Sequence, residues 1–314
     1  MPPADDDDPA RDPLDDEPTV TDRDKEREAA APEPAAGSFE HGSIFAGHRI
    51  EGLIGEGGMG RVYEATELDS GRTVAMKVLI PEISRDERQR SRFKREARVA
   101  AALDHPHVVP IHRAEEFDGR LFITMHLIEG GDVRDAVRGR GPLEPRYAIT
   151  ILRQVCSALD AAHEKGLVHR DIKPANLMLG GTAEEPHAYL TDFSLVRGGE
   201  GEETITKAGA IVGTLDYMAP EQLRGEEVDR FADIYALGCV LVYMLTGKPP
   251  YPRDSEPAIM WGHLGEPPPR PSELAEGVPP LLDEVVARAM AKEPGERFPS
   301  ASYLGDAARL ALGV

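Results

Sequence analysis

The feature that most constrains this chain is a change of period at Gly130-Gly131. Ahead of the pair stand short strand-like runs, HRIEGLI, RVYEATEL, TVAMKVLI and LFITMHLI, separated by Gly-rich and polar turns, with a two-residue alternation of faces in VAMKVLI. Such alternation belongs to strands with one buried face, joined as hairpins. A single helical stretch, near 86 to 103, interrupts them. After the pair, runs such as YAITILRQVCSALDAAHEKG and LLDEVVARAMAK at 281 to 292 repeat with helical spacing. The reading is an α+β protein: a small β-rich lobe at about 48–128, a larger helical lobe at about 131–311, and a glycine-containing hinge between them. A chain of 314 residues with 40% hydrophobic content can fill such a core.

Charge separates one segment from the rest. Residues 1–40 hold fourteen Asp and Glu against four Arg and Lys, which is −10 of the net −20, with almost no aliphatic or aromatic side chains before Phe39. That stretch cannot bury enough surface to offset the entropy of ordering, so it is expected to be a disordered acidic Pro/Ala-rich tail. The acidic balance argues against nucleic acid as a partner, because phosphate backbones favour clustered Lys and Arg. Cys156 and Cys239 are the only cysteines and each lies in an apolar helical pattern. A disulfide framework is not expected, and a cytoplasmic location is. The start MPPADDDDPA lacks the basic and apolar regions of a signal peptide. The longest apolar run, IYALGCVLVYML at 234–245, is shorter than the roughly 20 residues a membrane span needs and reads as a buried core helix.

Several motifs carry chemistry. In GEGGMGRV, residues Gly55, Glu56, Gly57, Gly58 and Gly60 lie between two strands, where missing Cβ atoms let backbone N–H groups approach phosphates. A strand after the glycines, where a Rossmann turn has a helix, and the lack of G-x-x-x-x-G-K-[ST] disfavour the two commonest nucleotide folds. In TVAMKVLI, alternation puts Ala75, Lys77 and Leu79 on one face and Val74, Met76 and Val78 on the other. A helix over RFKREARVAAALDH places Glu96 on the same stripe as Phe93, Ala100 and Leu103. An inward Glu and a strand Lys are each costly alone, and together they could form one ion pair. His105 and His107 are spaced like a metal pair, but no further ligand follows, and they are read as a turn before a strand.

Farther along stand HRDIKPAN, TDFSL, GTLDYMAPE, DRFADIYALGCVLVYMLTGKPP and KEPGERF. Taken in chain order, the set resembles the eukaryotic-like Ser/Thr protein kinases, specifically their bacterial branch, over about 48–311. The resemblance implies a bilobal protein-kinase-like fold, ATP and Mg²⁺ or Mn²⁺, and the following roles. Gly55 to Gly60 would cover the phosphates, and Lys77, oriented by Glu96, would hold the α and β phosphates. Asp192 and Asn176 would hold the metal, whose hard-oxygen preference suits a carboxylate and an amide oxygen. Asp171 would receive or orient the proton of the substrate hydroxyl, and Lys173 favours the Ser/Thr type. Adenine would lie between Val62 and Ala75 above and Met178 below, against the hinge of His126, Leu127 and Ile128, with Met125 as gatekeeper. This hinge departs from the usual acidic-aromatic pair, which bears on inhibitor preference more than on ATP.

The polar stretch from Asp192 to Glu221 reads as a regulatory loop, with Thr206 and then Thr204 as expected autophosphorylation sites and Arg170 as phosphate receiver. Thr214 would support the substrate platform, braced by a Glu221–Arg297 pair. Ser194 stands where the family usually has glycine. It removes no ligand, and is expected to restrict movement of the neighbouring Asp192-Phe193 unit. Protein substrates and self-association for phosphorylation in trans are the implied partners, with membrane association only if the chain is part of a longer receptor-like kinase. The rival reading is a pseudokinase-type ATP-binding scaffold, against which stands the retention of Lys77, Glu96, Asp171, Asn176 and Asp192. A small-molecule phosphotransferase of related fold fits less well with the APE, DRFADIY and Arg297 features.

Overall fold

An antiparallel sheet makes up the first half of the fold, in keeping with short strands joined by polar turns. The computed structural model describes residues 39–182, 185–193 and 215–313. The acidic tail, Ser194, Thr204, Thr206 and Thr214 all lie outside those residues. Strands β1 (Ile44–Phe45), β2 (His48–Gly57), β3 (Gly60–Glu67) and β4 (Thr73–Leu79) are followed by helices α1 (Pro81–Arg85) and α2 (Glu87–Ala101), then β5 (Ile111–Phe117) and β6 (Arg120–His126). They form one sheet in the order β1-β2-β3-β4-β6-β5, each neighbour antiparallel.

The two faces of β4 separate as the alternation requires. Val74, Met76 and Val78 pack into a buried cluster with Phe45, Ile50, Tyr63 and Phe122. On the opposite face, Ala75 packs with Val109 and Met125, and Leu79 joins the main core beneath α2. Gly60 is fixed by close approach: a Cβ there would collide with the carbonyl oxygen of Val78 on the neighbouring strand.

The second half is helical: α3 (Val133–Arg140), α4 (Pro145–Glu164), a hairpin of β7 (Leu177–Gly181) and β8 (Pro186–Leu190), then α5 (Pro220–Arg224), α6 (Arg230–Thr246), α7 (Glu256–Gly265), α8 (Pro271–Leu274), α9 (Leu281–Ala289) and α10 (Ala301–Ala311). The apolar run at 234–245 falls in α6, where every residue from Ala232 to Leu245 is buried. A helix apolar on all sides belongs inside a core, and α4, α9 and α10 pack around it. Asp229 caps its start by accepting from the Phe231 N–H at 2.9 Å, and Gly247 ends it with φ 73°. Cys156 in α4 and Cys239 in α6 are free, buried thiols. Among the described residues, no helix is long and apolar enough to cross a membrane.

The main core does not stop at the hinge. It runs from Ile83, Phe93 and Leu121 through Val108, Leu190 and Phe193 to α4 and α6. Backbone bonds stitch the same junction: the Val109 N–H donates to the Leu190 carbonyl at 3.0 Å, and the Leu190 N–H to the His107 carbonyl at 2.8 Å. The turn histidines serve this junction. The His107 N–H donates to His105 Nδ1 at 3.1 Å, which leaves His105 Nε2–H for Ser157 Oγ at 3.0 Å.

Candidate active site

Between the sheet and the helical lobe lies a cleft of about 780 Å³. Its roof is the β2–β3 hairpin with Gly55, Glu56, Gly57, Gly58, Gly60 and Val62; its back wall holds Ala75, Lys77 and Met125; its edge is Leu127 and Ile128; and its floor carries Met178. A Cβ at Gly57 would meet no protein atom within 4 Å, so packing is not the reason for that glycine. One end gathers Asp171, Lys173 and Asn176 from a single loop and Asp192 from sixteen residues later, and faces Lys77 from the distant strand β4. Every residue expected to bind nucleotide, metal or substrate hydroxyl within the described part therefore opens on one space. Glu96 does not line it.

Asp171, Lys173 and Asn176 are bound to one another before anything enters. Lys173 Nζ is 2.8 Å from Asp171 Oδ2. Asn176 Nδ2 donates to the Asp171 carbonyl oxygen at 2.7 Å, while the Asn176 carbonyl accepts from the Thr191 N–H at 3.0 Å. That commitment of Nδ2 leaves Oδ1 as the amide's acceptor, and both Asn176 and Asp192 line the cleft.

The expected Lys77–Glu96 pair is replaced by two others. Lys77 Nζ lies 2.9 Å from Asp192 Oδ1. Glu96 Oε1 instead accepts from Arg92 Nε at 3.1 Å, one helical turn away, with Arg95 Nη2 at 3.8 Å. The physical reason is locality: an i,i+4 partner is in reach whatever the position of α2, whereas Lys77 sits on another element. The exchange leaves Glu96 poorly served. Its Oε2 is buried without a hydrogen bond, and burial raises its pKa, with Arg92 only partly offsetting this. For Asp192 burial also works against ionisation, but Lys77, His169 and Lys173 outweigh it and hold the carboxyl below its ordinary value. Beneath it, Phe193 is buried against the His169 ring, with centroids 4.9 Å apart.

Two site residues have left-handed backbones that non-glycine residues rarely adopt, Arg170 at φ 65° and Asp192 at φ 59°. What holds Arg170 there is Asp233 of α6, a carboxylate 1% exposed. Its Oδ1 accepts from the Arg170 N–H at 2.7 Å, and its Oδ2 from the His169 N–H and from His163 Nε2, both at 2.8 Å. His169 in turn reaches the Thr191 carbonyl with Nε2 at 2.8 Å, and its Nδ1 accepts from the Asp171 N–H at 3.3 Å, which fixes the tautomer with the proton on Nε2. Sequence reasoning had not singled out Asp233, His169 or His163. The available signal is a lone carboxylate inside the apolar run FADIYALGCVLVYML.

Behind the site, Arg297 and Glu221 form the expected pair, a two-pronged one at 2.6 and 2.8 Å with both side chains buried. Arg297 also donates to the carbonyls of Phe231 and Ala291 and stacks over Tyr235, 4.9 Å from the ring centre. It thereby ties the start of α5 to the start of α6.

Residues 48–303 match the protein kinase domain family. The serine/threonine-protein kinase PknH of Mycobacterium tuberculosis is 46% identical over 271 residues, covering 86% of this chain and 43% of that protein. PknD of the same species is 47% identical over 272 residues, covering 86% of this chain and 40% of that one. This chain thus spans less than half the length of these curated relatives. The crystal structure of the M. tuberculosis PknI kinase domain is similar in fold, with a TM-score of 0.70 at 33% identity, covering 88% of this chain and all of that one.

Proposed function

The chain belongs to the protein kinase family and has its bilobal fold, and from that premise we propose that it transfers the γ-phosphoryl of metal-bound ATP to Ser and Thr hydroxyls of proteins. The observation that carries the reading is the convergence of Lys77, Asp171, Lys173, Asn176 and Asp192 on the one cleft beneath the glycine hairpin. Phosphoryl transfer spreads negative charge over the moving group, so catalysis is mostly positioning and electrostatic stabilisation. Asp171, steadied through its backbone by Asn176, accepts the proton of the substrate hydroxyl as that oxygen bonds to the γ-phosphorus. The bond to the β–γ bridging oxygen breaks, and ADP leaves with that electron pair. Lys173, already on Asp171, offsets negative charge on the transferring group, and Lys77 binds the α and β phosphates.

A divalent cation fits the two residues assigned to it. Asp192 is kept ionised in the fold, and Asn176 has its Nδ2 committed to Asp171, so both present hard oxygens. Mg²⁺ or Mn²⁺ bound there would neutralise phosphate charge. The Lys77–Asp192 and Glu96–Arg92 pairs are a resting arrangement; with nucleotide bound, Lys77 moves to phosphate and Glu96 exchanges Arg92 for Lys77.

The domain is assigned to about 48–311. Thr206 and Thr204 are its autophosphorylation sites, modified in trans, with Arg170 as receiver, and Thr214 belongs to the substrate platform. A cytoplasmic setting suits the two buried free thiols. Transfer from labelled ATP to the chain itself and to a basic protein tests the assignment. Asp171→Asn should lower the rate by about 10²–10⁴-fold, the usual contribution of a general base, while nucleotide binding persists. Equal rates for the two proteins, or nucleotide binding with no transfer by the wild type, would remove the catalytic reading in favour of a scaffold.

A further inference from the structure

Helix α2 is a basic element in an acidic chain. Its sequence ERQRSRFKREARVAA holds six Arg and Lys against Glu87 and Glu96, a net +4, which leaves −24 for the remainder of a chain at −20. Three of the six cations are neutralised by the fold. Arg90 and Lys94 bind Glu116 on β5 at 2.8 and 3.2 Å, and Arg92 binds Glu96. The other three, Arg88, Arg95 and Arg98, are exposed. Among the described residues, no ion pair or hydrogen bond engages the guanidinium of Arg88 or Arg98, and Arg95, 74% exposed, has only Glu96 at 3.8 Å. Spaced at i, i+7 and i+10, the three lie along one stripe, opposite the face that buries Phe93, Ala97 and Ala100. The residue between them on that stripe is Ser91, so no carboxylate interrupts it.

We propose that the solvent face of α2, through Arg88, Arg95 and Arg98, is a docking surface for an extended acidic segment of a partner protein. Charge complementarity selects that occupant. The stripe is about 15 Å long at 1.5 Å per residue, which an extended chain at about 3.3 Å per residue covers with five or six residues. Arginine forks match carboxylates in pairs, which suits Asp and Glu side chains presented in a row. A large anionic surface, such as a bilayer or a nucleic acid duplex, would meet the −24 of the remaining protein as well as the stripe. A short segment meets only what lies within a Debye length, about 10 Å at 0.1 M salt. Docking also reaches Glu96, because a carboxylate that draws Arg95 outward removes one of the cations beside it.

The test is fluorescence anisotropy of a labelled Gly-Glu-Glu-Gly-Glu-Glu-Gly peptide titrated with the full chain. Wild type should bind, and more tightly as salt is lowered. The combined Arg88→Glu, Arg95→Glu and Arg98→Glu variant should bind about tenfold more weakly or not at all, as expected for three exposed pairs. The milder Arg88→Gln, Arg95→Gln and Arg98→Gln set should show an intermediate loss with an unchanged melting temperature. Reversing Arg140 and Lys248, exposed cations outside α2, should leave binding as it was. Affinity unchanged in the α2 variants would overturn the proposal. So would phosphatidylserine vesicles binding as tightly as the peptide, or peptide binding that appears only when Asp5, Asp6, Asp7 and Asp8 are changed to Asn.

Discussion

Replacing Asp233 by Asn keeps the shape of the side chain and removes one charge, so it isolates what the carboxylate does for the catalytic segment. In the native fold its two oxygens accept three hydrogen bonds at 2.7–2.8 Å from the Arg170 N–H, the His169 N–H and His163 Nε2, and the group is 1% exposed. An amide retains one acceptor oxygen. With that oxygen turned to Arg170, the amide nitrogen faces the His169 N–H, donor against donor, and can satisfy only His163, whose Nδ1 is buried without a partner and can take the ring proton. The net loss is a charge-assisted bond plus one buried N–H left unmade, about 2–4 kcal/mol. At about 2–4 °C per kcal/mol for domains of this class, melting should fall by roughly 4–16 °C. The strained Arg170 backbone at φ 65° would then lose its restraint, and kcat should fall further than nucleotide affinity, because Asp171 follows directly while the glycine hairpin, Ala75, Lys77, Leu127 and Ile128 lie on other elements of the cleft. Differential scanning fluorimetry and steady-state kinetics on the same preparation read both quantities. A melting temperature within 2 °C of wild type, or a loss of affinity without a loss of kcat, would refute the reasoning.

Glu96→Gln should raise the melting temperature at neutral pH, because the native environment disfavours the charged carboxyl; the sign reverses the usual acid case, and the gain should vanish as pH falls below the ordinary glutamate range, where both states are protonated. Arg92→Ala removes the local competitor for Glu96, a pair worth about 0.3–0.5 kcal/mol, and should raise phosphate transfer by the dephosphorylated protein about twofold in an initial-rate assay. Arg297→Lys keeps the charge but not the fork that binds both oxygens of Glu221, so urea unfolding should show a loss of about 3 kcal/mol or more from a buried, half-satisfied pair.

Period and motif order make much of the fold legible in the sequence. The two faces of β4, the buried α6 and the Glu221–Arg297 brace could be read because each follows from a local pattern or from a charge needing a partner. Lys77 was harder. Its stripe logic pointed to Glu96, but which carboxylate a lysine meets depends on the rotation and distance of a separate helix, and the left-handed backbone of Asp192 brings a second carboxylate within 2.9 Å. Asp233 was visible as an oddity and silent about its task, because the N–H groups it serves lie more than sixty residues away in sequence. The roles of Thr204, Thr206, Thr214 and Ser194 belong to the sequence alone.

The backbone stitch between Val109 and Leu190, with the apolar core that runs through it, bears on how the molecule comes apart. Gly130-Gly131 looks like a place to cut, yet a polypeptide ending there would leave Phe93, Leu121 and Val108 without the α4 and Leu190 surface that covers them. The two pieces should each expose a raw half-core, aggregate when made singly, and assemble into an active pair when made together. Amide exchange should follow the same division: Val109 and Leu190, though in short segments beside a cleft, should be among the slowest amides to exchange, opening only when both lobes unfold as one.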